Sequence, residues 1–245
     1  MANLVLSFAE LLAGAVLLDA AIKGDSIANV IQGKATSHPL AGSSSSTATA
    51  AAAGGGGAST STIPAGSYIN PVPGAQTGRI DQGVDYTLGS GGFVAPGRSQ
   101  ILEATASSSG WQGGGYLAAK LLDGPLAGAV YYVAEGIRPL VKVGDTVAAG
   151  TPLTSSIANP YNGVVGNIEA GWANPSSPTV PLAQSLSGYS GDQSRQGLTA
   201  GYSFSSFVHA LGGVKGVFQG VGQALAPSIL QAFQSGAEAG VVPFS

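Results

Sequence analysis

Two carboxylates stand four residues apart, Asp81 and Asp85, inside the Gly-rich stretch GRIDQGVDYTLGSGGFVAPG over residues 78–97. A carboxylate pair offers hard oxygens that suit Ca²⁺ or Mg²⁺, and zinc hydrolysis would need imidazoles beside it and an open position for water. The chain's two histidines, His38 and His209, are both distant in sequence from the pair. Without a single Cys, the chain has no thiolate metal site and no disulfide framework. The structural alternative is that Asp81 and Asp85 are solvated or spend their oxygens on turn hydrogen bonds.

The segment carrying the pair, residues 63–183, has a texture of its own. Short apolar runs such as GFVAP, YLAAKLL, GAVYYVAE and PLVKV alternate with Gly, Pro and Asp turns, the pattern of many short antiparallel strands and of a sandwich or barrel. Residues 1–40 form an apolar segment. Leu4, Phe8, Leu11, Leu12, Val16 and Ile22 recur at helical spacing, and a second short stretch, DSIANVIQGK, reads as helix with Asp25 or Ser26 as cap and Gly33 as stop. Glu10 and Asp19 interrupt the apolar run, and a carboxylate at mid-bilayer is costly. A helix packed on protein, membrane contact by residues 3–22 and a targeting signal all stay open, with packing preferred. Residues 41–62 are an Ala/Ser/Gly-rich tether that cannot bury enough apolar surface to offset chain entropy. Residues 184–245 begin as a Gly-rich polar linker. Phe204, Phe207, Val208, Leu211, Val214, Val217, Phe218, Val221 and Leu225 then fit an amphipathic helical face, with Pro227 kinking it or opening a second helix. The near absence of charge on its polar face points to packing against a partner chain. The expected class is α+β: a central antiparallel β domain flanked by N- and C-terminal helices.

Only 9% of the 245 residues are charged, against about 25% in an ordinary soluble domain. So neutral a surface gives weak protection against association and points to a homo-oligomer or to other assembly proteins as partners. The net charge of −3 with nine scattered bases leaves no basic stripe, so nucleic-acid binding has no motif to rest on. No phosphate loop, no Rossmann unit and no Gly-x-Ser-x-Gly elbow is present.

In order along the chain, three stretches resemble the lysostaphin-type zinc metallopeptidases, which cut peptide cross-bridges in peptidoglycan. GRIDQGVDYTLGSGGFVAPG resembles the family's His-x-x-x-Asp motif and the V-x-A-P strand after it. GWQGGGYLAAKLL resembles the next strand and turn. YYVAEGIRPLVKVGDTVAAGTPL is similar to a Tyr-x-His-Leu strand leading into V-K-x-G-D-x-V-x-x-G-x-P. The VKVGDTVAAGTPL part also resembles biotinyl-lipoyl-type hammerhead domains, so the ordered set carries the resemblance. It covers residues 65–183, about half the chain.

The resemblance implies a metal site at Asp81, which stands at the motif's His, and at Asp85, which keeps the Asp. It further places Asn167 of VVGNIEAGW at the third ligand, a His in the family, Val165 at that strand's other His, and Glu169 at its closing Glu. The His of Tyr-x-His-Leu falls on Ala134 or on Glu135. Every family histidine is therefore absent, and the implied state is a peptidase-like domain without zinc catalysis, cofactor or metal. Trp111, Tyr131, Tyr132, Tyr161 and Trp172 are candidates for stacking on a sugar or peptide, with packing inside the domain as the commoner fate of such rings.

The expected function is a non-catalytic structural component of an assembly, a virion tail or ejection apparatus or a cell envelope. The alternatives are a module that binds peptidoglycan or activates a hydrolase, and an active metallopeptidase with unusual ligands.

Overall fold

The computed structural model describes residues 66–111 and 113–235. The expected helices of residues 3–34, the tether and His38 lie outside the described residues.

Nine strands follow: β1 (Val84–Thr87), β2 (Ser99–Thr105), β3 (Gly115–Leu121), β4 (Val130–Glu135), β5 (Ile137–Pro139), β6 (Thr146–Val147), β7 (Thr154–Ser156), β8 (Asn167–Asn174) and β9 (Ser177–Pro181). Seven make one antiparallel sheet in the order β1-β8-β4-β3-β2-β6, with β9 paired to β8, and β5 with β7 forms a separate ladder. Two helices close the described chain, α1 (Arg195–Ala210) and α2 (Val221–Ser235). The antiparallel α+β class expected from the sequence is the class the chain adopts.

Strand alternation divides the sheet into two faces of different character. Val84, Tyr86, Leu117, Tyr131, Val133, Ile168, Ala170 and Trp172 point to the main core. There α1 covers the sheet with Leu198, Phe204, Phe207 and Val208. The Trp172 ring lies 5.1 Å from both Phe204 and Phe207, and its indole N–H donates to Ser203 Oγ at 3.2 Å. The opposite face carries a smaller cluster of Trp111, Tyr116, Ala118, Val130, Tyr132, Ala134 and Ala173. With both faces covered, β4 and β8 are buried almost end to end, which is why neither alternates clearly in sequence.

The C-terminal helices depart from expectation in bounds and in role. α1 begins at Arg195, inside the stretch read as polar linker, with Ser194 as cap accepting from the Gly197 N–H at 3.3 Å. It packs on its own sheet and completes the main core, where a partner chain had been expected. Close approach explains its glycines: a Cβ on Gly201 would lie 2.2 Å from the Asp81 carbonyl oxygen and 2.3 Å from that of Gly83. Chain 211–220 is not helical. Val217 pairs with Gly78 and Ile80 through backbone hydrogen bonds of 2.9 and 2.8 Å, and α2 contains Pro227 as its seventh residue.

Candidate functional site

On the face opposite α1 the sheet floors a cleft of about 420 Å³. Its position follows from register. Asp85 on β1 stands directly opposite Glu169 on β8, and Glu169 stands opposite Ala134 on β4. The turn before β1 brings Asp81 alongside. Ligand oxygens of Asp81, Asp85 and Glu169 lie within 4.8 Å of one another. Glu135, Asp192, Asn159, Asn167, Gln82 and Gln184 complete a polar lining, and Arg79 is the one basic residue in it.

Asp81 is buried, with 1% exposure, so the solvated reading fails for it while the turn reading holds in part. Its Oδ1 accepts from the Gly83 N–H at 3.1 Å, and its Oδ2 meets Arg79 Nη2 at 2.7 Å. Asp85, half-buried, faces the same guanidinium, with Oδ2 3.3 Å from Arg79 Nε. Glu169 is buried and accepts from the Tyr132 hydroxyl through Oε1. Room for the Tyr132 ring comes from two glycines. A Cβ on Gly171 would lie 2.9 Å from that ring, and one on Gly83 would lie 2.7 Å from its hydroxyl.

Burial, with neighbouring carboxylates adding to it, raises the pKa values of these acids. Burial, reinforced by the Asp85 charge, pushes Asp81 up to about 7. Burial pushes Asp85 up to about 6 against the pull of Arg79. Burial also lifts Glu135 to about 7, although the Asn159 amide opposes the shift. Glu169 is raised well above the usual carboxylate range by burial and by the Asp81 charge.

The other sequence-predicted residues separate clearly. Glu135 lines the cleft at the end of β4 with φ +78, a left-handed conformation rare for a side-chain-bearing residue, and its Oε2 accepts from Asn159 Nδ2 at 2.7 Å. Ala134 is buried in the small cluster. Asn167 lies at the cleft edge. Its Oδ1 accepts from Asn159 and Asn162, at 3.1 and 2.7 Å, so its side chain is tied to the neighbouring loop. Val165 is 49% exposed on that loop and does not line the cleft. The third carboxyl is Glu169, two residues beyond Asn167. Both face one side of a strand, so sequence pattern alone could not separate them.

Tyr132 and Trp172 are fully buried and offer no ligand a free ring, and Tyr131 is likewise buried in the core. Trp111 lines the cleft but is 7% exposed and packs on Tyr116 and Tyr132. Tyr161, at 47% exposure, is the aromatic at the rim with a face to offer. Arg79 is among the lining residues the sequence reading missed, with Gln82, Asn159, Gln184 and Asp192. Its signal was its place two residues before Asp81, on the same side of an extended segment.

The family implied by the resemblance uses zinc, and the donors present do not fit it. Among the described residues no imidazole or thiolate lines the cleft. His209, in the last turn of α1, has Nδ1 3.3 Å from the Gly213 carbonyl oxygen. The triad supplies carboxyl oxygens alone, a hard set poorly matched to zinc. Two of its three members already face a guanidinium.

No family model and no curated protein matches the chain. Among solved structures it is similar to the catalytic domain of the antimicrobial peptidase lysostaphin from Staphylococcus simulans, at 22% identity and a TM-score of 0.33, over 43% of this chain and 85% of that one. It is similar to lysostaphin in its solution structure, at 19% identity and a TM-score of 0.37, over 48% of this chain and 53% of that one. It is also similar to the antimicrobial peptidase lysostaphin from Staphylococcus simulans, at 20% identity and a TM-score of 0.33, over 47% and 52%. The chain thus spans about half the length of the two longer lysostaphin chains. Likeness of this degree assigns no activity.

Proposed function

We propose that this chain is a non-catalytic structural component of a multi-subunit assembly, a virion tail or ejection apparatus or a cell envelope, carrying a peptidase-like β domain that has lost its chemistry. One observation carries the reading. The described cleft gathers carboxyls and amides with no imidazole among them. A zinc peptidase needs nitrogen ligands, a metal-bound water and a group to receive its proton. The assembly half of the proposal draws on the sparsely charged composition and on exposed Leu140, Val143 and Val221, each more than half accessible.

A second reading is favoured by the cleft itself, which stays open at about 420 Å³ with Tyr161 at its rim. A module of this shape would hold a peptidoglycan peptide without cutting it.

The deciding experiment incubates the purified chain with peptidoglycan, with and without added zinc, and follows release of free amines. No release is expected, and release that chelator abolishes and zinc restores would overturn the proposal. Light scattering tests the assembly half: a species larger than one chain is expected, and a stable monomer would count against it. Co-sedimentation with insoluble peptidoglycan tests the second reading.

A further inference from the structure

We infer that Arg79 replaces a metal ion in this cleft: its guanidinium is the built-in counter-cation of the Asp81–Asp85–Glu169 triad and makes the domain independent of divalent metals. The inference rests on the non-catalytic reading of the same cleft, but its test needs no substrate.

Three carboxyl groups whose oxygens approach within 4.8 Å repel one another unless a cation or protons intervene. The cation present is covalently part of the chain. Arg79 uses two separate nitrogens, Nη2 toward Asp81 at 2.7 Å and Nε toward Asp85 at 3.3 Å. A guanidinium is always charged and presents its donors in a rigid plane, so one group can serve two carboxylates as a metal would.

Its root is fixed from two sides. The Asp85 N–H donates to the Arg79 carbonyl at 2.8 Å, and on either side of Arg79 the Ile80 N–H and the Gly78 carbonyl pair with Val217. Two oxygens beyond its reach have other donors, the Gly83 N–H for Asp81 Oδ1 and the Tyr132 hydroxyl for Glu169 Oε1. A divalent ion entering here would have to displace the guanidinium from Asp81 Oδ2. It would also bring a second positive centre against Arg79. The triad without Arg79 would be an all-oxygen set of the kind that takes Ca²⁺ or Mn²⁺.

The experiment compares the full chain with Arg79→Met and Arg79→Lys, each stripped with EDTA and then titrated with CaCl₂, MnCl₂ or ZnCl₂ while the thermal midpoint is followed. The wild type is expected to show no shift with any ion. Arg79→Met is expected to melt lower and to recover by roughly 5–10 °C when Ca²⁺ or Mn²⁺ stands about a hundredfold above its Kd. Arg79→Lys, which keeps the charge and loses the fork, is expected to melt between the two and to ignore the ions. Should Arg79→Met fail to fold in EDTA, refolding it in Ca²⁺ or Mn²⁺ gives the same reading. Recovery there supports the inference, and failure in both media overturns it. A folded Arg79→Met that responds to no ion also overturns it, as does a wild type that takes up one metal per chain. Metal uptake by the wild type without hydrolysis would sink this inference and leave the non-catalytic reading standing. Metal-free hydrolysis would do the reverse.

Discussion

Asp85 stands directly across the β1–β8 ladder from Glu169, so two carboxyl groups share one face beside a third, Asp81, which is buried. Such an arrangement favours bound protons. Asp81 at about 7, Asp85 at about 6 and Glu135 at about 7 all titrate above their ordinary values. The folded state therefore binds more protons than the unfolded chain between about pH 4 and pH 7. Stability from these groups is complete below pH 4 and is lost as pH rises through 6 and 7. Urea midpoints at pH 4.5, 6 and 7.5 should fall in that order, and a midpoint that rises with pH would contradict the raised values.

Removing the Tyr132 hydroxyl strands Glu169. The Tyr132→Phe variant keeps the ring in its slot beside Gly171 and deletes the donor to a buried carboxyl. Loss of about 1–3 kcal/mol is expected from urea unfolding. An unchanged midpoint would mean that solvent replaces the hydroxyl.

Gly201 ties the core helix to the site. An alanine in mid-helix would ordinarily gain about 1 kcal/mol over glycine. Here its Cβ would meet the Asp81 carbonyl oxygen at 2.2 Å, and overpacking of that kind costs about 1–3 kcal/mol or more. Gly201→Ala is therefore expected to lower the thermal midpoint and, by shifting the Asp81–Gly83 turn, to alter the pH dependence as well. A more stable variant would show that α1 does not press on that turn.

The two tryptophans are expected to separate core from cleft. Trp172→Ala empties the space between the sheet and Phe204 and Phe207, at a cost of about 3–5 kcal/mol. Trp111 sits in the smaller cluster at the cleft wall, and its loss should cost less stability. Calorimetry of the two variants tests the order, and equal losses would mean that the faces do not differ in weight.

The β class was legible because the strand runs and their Gly and Asp turns are local signals. Asp81 and Asp85 were legible as a pair for the same reason. Helix α1 was not: Gly197 and Gly201 read as linker, and only tight approaches explain them, of Gly197 to the Asp192 carbonyl just before the helix and of Gly201 to the Asp81–Gly83 turn. Glu169 was hidden behind Asn167 because residues two apart in a strand face the same way, and only the ladder with β1 separates them. The role of Arg79 depended on side-chain reach, to which hydrophobic patterning is blind. Trp172 drew notice as a ring that could stack on a ligand, yet its strand position turns it toward α1.

A sheet with foundations beneath and a chamber above can be refurnished one storey at a time. Along β1 and β8 the residues on the chamber side, Asp85, Asn167 and Glu169, alternate with those that bear the load. Exchanging one polar side chain for another on the upper side leaves the lower packing untouched. The architecture alone therefore says little about what the chamber does.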